Sequence, residues 1–243
     1  MYYFKIEIAE YVIEVNALYE GTKKYCKDFF SSKAPDFEIT ITEQDIEKVK
    51  EQSITLNKKR NLPTLDMPNY NYEISALLEK IVILLLDYNI IFFHGSVIAY
   101  NGKAYMFTAP SGTGKTTHTK LWLKNIKGCY VLNGDKPLIK FDGDKIYACG
   151  TPWRGKEGYG VNEILPLSAI CYLNRDIKNH IEESNLKELL NPFFNQIYFP
   201  KNGLQITKIL TNLSKLKNIK LYKLGCNMED EASIVAFNEI IKN

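Results

Sequence analysis

The sequence predicts an α/β fold, with a mixed α+β sheet, that carries a nucleotide-binding loop. The first observation is the run APSGTGKTT at Ala109–Thr117, which follows an alternating segment, Lys103–Thr108, and precedes an amphipathic one, Thr117–Ile126. Alternation predicts a strand and helical spacing of apolar residues predicts a helix, so the run joins a strand to a helix. The second observation is the Asn101-Gly102 pair between two alternating apolar runs, which predicts a hairpin. The strand that enters the loop should therefore have an antiparallel neighbour.

A loop of this composition is typical of nucleotide phosphate binding, and we expect ATP. Amides that point inward around the α- and β-phosphates require backbone angles that Gly112 and Gly114 tolerate. Lys115 would reach the β- and γ-phosphates, and Thr116 would place its hydroxyl on Mg²⁺ at the positive end of the helix. The pattern G-x-x-x-x-G-K-[ST] fails only at its first position, Ala109, and an ordinary turn before a helix is the alternative. The predicted phosphate-binding residues are Ser111, Gly112, Thr113, Gly114, Lys115, Thr116 and Thr117.

Composition and charge argue against several classes of protein. The 243 residues include 31 basic and 28 acidic side chains, and a net charge of +3 gives no electrostatic case for nucleic-acid binding. Five widely spaced cysteines without a CxxC pair predict reduced, buried thiols in a cytoplasmic protein. We expect no signal peptide, because the N-terminal segment lacks a basic stretch followed by an apolar core. We also expect no membrane span, because Asp87 and Asn89 interrupt the apolar stretch Ile81–Phe93.

The alternation of apolar and polar residues divides the chain into a small α+β region, residues 1–70, packed on a nucleotide-binding domain, residues 71–243. The first region is predicted to begin with a hairpin of the strands Tyr3–Ala9 and Tyr11–Ala17, followed by a helix at Lys23–Phe30 and a strand at Phe37–Ile41. A second helix at Ile46–Gln52 and a polar loop at Asn57–Asn69 complete it. The second region is predicted to begin with an apolar helix, Glu73–Tyr88, and a strand that starts at Ile90. Its later predicted strands are Cys129–Leu132, Leu138–Phe141, Lys145–Ala148, Ala169–Leu173 and Lys220–Leu224, and its later helices are Leu186–Leu190, Leu204–Leu213 and Glu229–Ile241.

The run FHGSVIAYNGKAYMFTAPSGTGKTTHTKLW, together with VLNGDKP at Val131–Pro137, resembles the catalytic half of bacterial HPr kinase/phosphorylase. As in that family, a His-Gly pair (His94, Gly95) opens a strand, a hairpin follows, and the phosphate loop arrives at a similar distance. The family shares its nucleotide site with phosphoenolpyruvate carboxykinase. The resemblance covers residues 90–173 and is closer to the smaller HPr-kinase-like proteins of unassigned or peptide-modifying function.

The resemblance implies an HPr-kinase-like fold and a Mg²⁺/ATP-dependent kinase acting on a hydroxyl, a serine of a protein or peptide. Asp135 matches the family's Mg²⁺-binding or proton-accepting aspartate, while Gly134 replaces the aspartate before it. An Asp that ends an apolar strand beyond the loop also suits Mg²⁺, although Asn-Gly-Asp is a common turn. His94 would orient the acceptor or relay a proton, rather than serve as a core residue. His118 would lie near the adenosine and His180 on the surface.

The segment GTPWRGKEGYG at 150–160 is a predicted loop that closes over phosphates, with an exposed hairpin loop as the alternative. Arg154 or Lys156 would neutralise charge on the transferred phosphoryl group, and Glu157 or Glu163 would supply the missing carboxylate. A small-molecule kinase of the same fold and a nucleotide-binding regulatory protein with little turnover remain open. An oligomer is possible, and the sequence identifies neither the acceptor nor the preferred base.

Overall fold

The chain forms two compact units in the computed structural model, which describes residues 1–59, 61–63, 67–200 and 202–242. The units are Met1–Leu84 and Leu85–Asn243. The division falls after the boundary expected at residue 70, because the apolar helix that was predicted to begin the second region remains with the first unit. Part of the predicted polar loop, residues 60 and 64–66, lies outside the described residues.

The first unit is a small α+β structure that begins with the predicted hairpin. Its strands and helices are β1 (Tyr2–Ile8), β2 (Tyr11–Ala17), α1 (Glu20–Tyr25), β3 (Phe37–Thr40), α2 (Glu43–Lys59) and α3 (Asn69–Leu85). Strands β1 and β2 are antiparallel and β3 is parallel to β2. Helix α2 continues beyond the predicted end at Gln52 to Lys59, and the added turns contain two further apolar residues, Ile54 and Leu56. The start of the predicted polar loop is therefore helical.

The second unit is a mixed α/β structure, as predicted. Its strands are β4 (Ile90–Phe92), β5 (Ser96–Tyr100), β6 (Lys103–Thr108), β7 (Tyr130–Asn133), β8 (Leu138–Asp142), β9 (Lys145–Cys149), β10 (Ile164–Arg175), β11 (His180–Ser184) and β12 (Lys220–Cys226). Its helices are α4 (Lys115–Asn125), α5 (Leu186–Phe194), α6 (Gly203–Ser214) and α7 (Glu231–Lys242). The strands form one sheet in the order β4-β8-β9-β10-β6-β5-β7, with β12 paired to β10 and β11 to β12.

The strand that leads into the phosphate loop has one antiparallel and one parallel neighbour. Strands β5 and β6 form the predicted hairpin, and Asn101 and Gly102 at its turn have positive φ angles of 49° and 73°. On its other side β6 runs parallel to β10, which in turn runs parallel to β12. The antiparallel neighbour was predicted, whereas the parallel order was not.

Two predictions for the second unit were wrong in detail. The single strand expected from Ile90 is two strands, because the chain leaves the sheet at His94 and Gly95: β4 pairs with β8, and β5 pairs with β6 and β7. Strand β11 was not predicted, because its sequence HIEES is mostly exposed and lacks a clear apolar alternation.

Helices cover both faces of the sheet around β6. Side chains on one face, among them Met106, pack with α5 and α6, and those on the other, among them Phe107, pack with α4 and α7. Successive side chains of a strand point to opposite faces of the sheet. Because helices cover both faces at β6, this strand is buried along most of its length. The phosphate loop therefore leaves from the centre of a three-layer structure.

Two further predictions concern the burial of the cysteine thiols and the lack of a membrane-spanning helix. All five cysteines lie in the described part of the chain as thiols and not as disulfides: Cys26, Cys149 and Cys171 are buried as predicted, and Cys129 and Cys226 are half-buried. Burial raises the pKa of the Cys171 thiol well above its usual value, so this thiol stays protonated at neutral pH. No helix among the described residues is long and apolar enough to cross a membrane.

Candidate nucleotide and phosphoryl-transfer site

The loop at 109–117 has positive φ angles at the two glycines for which the sequence predicts unusual backbone angles. It connects β6 to α4, and Gly112 and Gly114 have φ angles of 83° and 129°. Side chains disfavour these angles, so both glycines are required by the path of the chain. Gly114 is also the N-cap of α4, which directs the positive end of this helix toward the loop.

The alanine at the first position of the motif has a structural explanation. Ala109 is fully buried in the same apolar cluster as Phe107 and Trp122. Its methyl group contributes to the core beneath the loop, and the unusual angles occur only at Gly112 and Gly114. The missing glycine therefore leaves the loop geometry intact.

Lys115 lies across its own loop. Its Nζ donates to the carbonyl oxygens of Ala109 at 2.7 Å and of Pro110 at 3.3 Å. Burial lowers the pKa of Lys115, the negative charge of Asp135 opposes this effect, and the positive charge of Lys136 adds to it. The ammonium group is thus bound to the carbonyl oxygens of its own loop, and it is close enough to Asp135 to be affected by the charge of that carboxylate.

A buried asparagine shapes the turn that follows β7. The Oδ1 of Asn133 accepts from the backbone N–H groups of Asp135 at 3.0 Å and Lys136 at 2.7 Å. Its Nδ2 donates to the Thr151 Oγ1 at 3.0 Å, and that hydroxyl donates to the Lys136 carbonyl. Asn-Gly-Asp is therefore a turn, and the turn fixes the position of the Asp135 backbone.

The Asp135 carboxylate is held by two cationic or ionisable groups. Its Oδ1 lies 3.4 Å from the His94 Nε2, and its Oδ2 accepts a hydrogen bond from the Lys136 Nζ. Burial alone would raise the pKa of Asp135, but the hydrogen bond from His94 and the charge of Lys136 outweigh it and lower the pKa to about 2. Lys136 was not among the predicted site residues, although it follows Asp135 directly.

His94 lies between β4 and β5, not on a strand as predicted. Its backbone N–H donates to the Gln196 carbonyl at 2.7 Å, and its carbonyl accepts from the Thr108 hydroxyl at 2.8 Å. The Gln196 Oε1 lies 2.9 Å from the His94 Nδ1, so Nδ1 carries the hydrogen of that bond and Nε2 faces Asp135. Gln196 is almost fully buried and was missed, because no motif marks a glutamine so distant in sequence.

The loop after β9 is docked onto the end of β7. The Gly134 N–H donates to the Tyr159 carbonyl at 3.0 Å, the Val161 N–H donates to the Leu132 carbonyl at 3.1 Å, and Trp153 is buried. A side chain at Gly155 would meet the Asp135 Cβ at 3.1 Å, so this loop borders Asp135. We refer to residues 151–161 as the covering loop.

The covering loop also explains the glycine at position 134. A Cβ at position 134 would lie 2.7 Å from the Arg154 carbonyl oxygen and 3.2 Å from that of Tyr159. Real Cβ atoms do not approach backbone oxygens so closely, and a carboxylate here would displace the loop. The covering loop can therefore pack in this position only because residue 134 has no side chain.

The charged residues predicted on the covering loop point in different directions. The Arg154 Nη1 donates to the Gly160 carbonyl at 3.4 Å, and Lys156 is exposed. Glu157 pairs with Lys120 at 3.2 Å. Glu163 accepts from Tyr130 at 2.5 Å, at the opposite end of β7 from Asp135 and thus on the order of 10 Å away. The structure therefore does not place the carboxylate of Glu163 beside Asp135.

His118 occupies the core, where its ring has almost no surface that a nucleotide could contact. It is 2% exposed, and its Nε2 accepts from the Trp122 Nε1 at 2.9 Å. Burial lowers the pKa of His118 to about 3, so the ring is neutral at pH 7. Its Nδ1 has no hydrogen-bond partner among the described residues. His180 is exposed, as predicted.

A metal ion at this site would depend on the nucleotide for most of its ligands. Among residues 1–59, 61–63, 67–200 and 202–242 there is no group of three or more His, Cys, Asp or Glu residues that could hold a metal. Mg²⁺ in nucleotide sites commonly takes one or two protein oxygens and completes its shell with phosphate oxygens and water. Asp135 fits this pattern, because a cationic ammonium group already lies on its carboxylate.

Comparison with known proteins adds little to this description. No family model matches the chain, and no curated protein matches it. A solved structure, the Hpr(Ser) kinase/phosphatase from Coxiella burnetii, is similar at 8% sequence identity, with a TM-score of 0.37, over 62% of this chain and 97% of that chain. A similarity of this size does not establish a shared fold.

Proposed function

We propose that this protein is a Mg²⁺/ATP-dependent kinase that transfers the γ-phosphoryl group to a hydroxyl, the serine of a protein or peptide. The observation that carries the proposal is the juxtaposition of two elements: a strand-loop-helix phosphate cradle with Lys115, and the Asp135 carboxylate, whose charge acts on that lysine. Phosphoryl transfer requires mainly positioning and charge neutralisation, which these groups supply.

Residues 111–117 bind the phosphates in this proposal. Lys115 leaves the carbonyls of Ala109 and Pro110 and moves its ammonium group onto the β- and γ-phosphates. Thr116 and Asp135 hold Mg²⁺, which neutralises charge on the β- and γ-oxygens when it is bound. The Lys136 ammonium group gives up its place on Asp135 and remains beside the phosphates as an additional cation.

His94 accepts the proton in the transfer step. The acceptor oxygen forms a bond to the γ-phosphorus while the bond from that phosphorus to the β,γ-bridging oxygen breaks, and ADP leaves. His94 would accept the hydroxyl proton at Nε2 only in the neutral ring, which keeps its hydrogen on Nδ1 toward Gln196 and no longer donates from Nε2 to Asp135. A carboxylate with a pKa of about 2 is a weak base at neutral pH, so Asp135 serves as metal ligand and as the partner of the protonated His94.

Arg154 is the candidate for charge neutralisation on the transferred group. Its side chain lies against Gly160 at the base of the covering loop, which borders Asp135. Lys156, exposed on the same loop, is the alternative.

One observation favours a second candidate function, a nucleotide-binding regulatory protein with little turnover. The position of the family's other aspartate is occupied by the covering loop, and Glu157 is paired with Lys120. Such a protein would bind ATP without transferring phosphate. A small-molecule kinase of the same fold differs from the main proposal only in its acceptor.

The deciding experiment is a single-turnover incubation with γ-labelled ATP, Mg²⁺ and a lysate of the source cells. We expect a labelled protein or peptide with the wild-type chain and none with Lys115→Ala or Asp135→Asn. Asp144→Asn, in the exposed turn after β8, is the matched control and should label as wild type does.

Binding and transfer are then separated by measuring ATP affinity on the same proteins. Asp135→Asn should retain ATP, whereas Lys115→Ala should lose it. Tight ATP binding by the wild type without transfer to any acceptor would contradict the kinase and support the regulatory function. Labelling of a metabolite in place of a polypeptide would assign the small-molecule kinase.

A further inference from the structure

We infer that the loops after β10 and β12 hold the base of the nucleotide, between the apolar side chains of Ile177 and Met228 and beside the guanidinium group of Arg175. This inference rests on the proposed function, because it requires the phosphates to lie in the loop at 109–117. None of these three residues belongs to the phosphate motif.

The sheet topology brings these loops to the phosphate loop. Strand β10 lies between β6 and β12 and is parallel to both, so the carboxyl ends of the three strands lie on the same side of the sheet. In the register Thr108 is opposite Tyr172, and Arg175 is opposite Cys226. Ligands of sheets with parallel strands bind outside these carboxyl ends, where the connecting loops meet. A nucleotide whose phosphates follow β6 would extend its base toward the loops after the neighbouring strands.

Arg175, the last residue of β10, is hydrogen-bonded to the phosphate loop. Its Nε donates to the Thr113 carbonyl at 3.1 Å and its Nη2 to the Gly112 carbonyl at 2.5 Å. Two hydrogen bonds fix the plane of the guanidinium group on the outside of the phosphate loop, and the residue is exposed. A fixed, exposed guanidinium plane is a stacking surface for an aromatic ring.

The side chains of Ile177 and Met228 are exposed to solvent, and the loops that carry them are joined by hydrogen bonds. They are 91% and 77% exposed, among the highest exposures of large apolar side chains in the described chain. The Asn227 Nδ2 donates to the Ile177 carbonyl at 3.0 Å, and the Asp176 N–H donates to the Cys226 carbonyl at 3.0 Å. These bonds tie the loop after β10 to the loop after β12, so both side chains belong to one surface.

A nucleotide base suits this surface better than a protein partner does. A stable protein interface buries about 800 Å² on each partner, which two side chains cannot provide. The two faces of a base, in contrast, need only a few apolar contacts and a stacking partner. Methionine is well adapted to such a contact, because its side chain is flexible and polarisable.

The test compares ATP with inorganic tripolyphosphate, which has the phosphates and lacks the base. Calorimetry is performed on the full chain with Mg²⁺ for wild type, for Ile177→Ser/Met228→Ser, and for Leu204→Ser, a control at an exposed leucine of α6. We expect the double variant to lose about tenfold or more in ATP affinity, since the apolar contact area is removed, and to bind tripolyphosphate as wild type does. The control should bind both ligands normally.

The inference and the proposed function fail in different ways. Wild-type protein that binds neither ATP nor tripolyphosphate would overturn the proposed function and the inference together. Wild-type ATP affinity in the double variant would overturn the inference alone. If that unchanged affinity came with loss of a wild-type dimer in sedimentation, the surface would belong to a second copy of the chain.

Discussion

The two units each hold a carboxylate in the protein interior, and they do so with different partners. Glu73 of the first unit is fully buried, and it accepts from the backbone N–H groups of Leu18 at 2.5 Å and Tyr19 at 3.2 Å and from the Thr22 hydroxyl. Asp135 of the second unit is partly exposed and is held by the side chains of His94 and Lys136.

The two carboxylates differ in how easily their partners can be exchanged. Backbone donors are fixed by the fold, so the partners of Glu73 cannot be exchanged without local unfolding. Of the two partners of Asp135, the Lys136 side chain can turn away when a more strongly charged ligand arrives, whereas the His94 ring is held by Gln196. A buried acid with fixed donors therefore stabilises, and one with a movable cation is available for chemistry.

The largest expected effect is on chemistry at Asp135. Asp135→Asn keeps the shape of the side chain and removes its charge, so we expect phosphoryl transfer to fall by at least about a hundredfold. Unfolding by urea should remain cooperative, because the turn is built by Asn133. A transfer rate within threefold of wild type, measured by single-turnover labelling, would show that the carboxylate has no role in the reaction.

The largest expected effect on stability is at Glu73. Glu73→Ala leaves one buried and two partly buried donors without an acceptor, and we expect the free energy of unfolding to fall by about 3 kcal/mol. Glu79→Ala, on the same helix and paired with the exposed Lys48, should cost less than about 1 kcal/mol. Equal losses in the two variants, by urea denaturation, would remove the distinction drawn between fixed and movable partners.

A smaller loss is expected where the covering loop meets the turn that carries Asp135. Gly134→Ala places a methyl group 2.7 Å from a backbone oxygen, and we expect a loss of about 2 kcal/mol. Gly203→Ala is the control, because a Cβ there meets nothing within 4 Å. Wild-type stability in Gly134→Ala, measured by thermal and urea unfolding, would mean that the loop moves away at no cost.

The smallest expected effect is a pH dependence caused by His118. Its pKa falls from 6.5 in the unfolded chain to about 3 in the fold, so only the unfolded chain binds the proton between these values. The stabilisation is complete above pH 6.5 and is lost as the pH falls, by about 1.4 kcal/mol at pH 5.5.

His118→Gln keeps an acceptor for Trp122 and cannot titrate, so the difference in unfolding free energy between pH 7.5 and 5.5 should shrink. His180→Gln, at an exposed histidine, should retain the wild-type difference. An unchanged difference in His118→Gln would assign the acid sensitivity to other groups.

The fold could be predicted from sequence where the signals are local. The hairpin of β5 and β6 follows from one Asn-Gly pair, and the strand-loop-helix path through residues 109–117 follows from the periodicity on either side of the loop. The parallel order of β6, β10 and β12 could not be predicted, because the partners are distant in sequence and a strand does not encode its neighbour. Strand β11 was missed because a mostly exposed strand has no apolar period.

The same limit applies to the candidate site. The structure brings His94 and Asp135 together, and a resemblance of short motifs had indicated both residues. Gln196, Thr151 and Arg175 act through contacts with backbone atoms or with a ring nitrogen, and such contacts leave no pattern in a single sequence. The occlusion of position 134 could be recognised only from the path of the covering loop.

The covering loop has a consequence for how the protein behaves in concentrated solution. Strand β7 is the last strand on its side of the sheet, and such edges offer unpaired backbone groups to other chains. The hydrogen bonds from Gly134 to Tyr159 and from Val161 to Leu132 already occupy that edge. The segment that frames Asp135 therefore also prevents strand addition at this end of the sheet, and a variant that releases it would expose a template for aggregation.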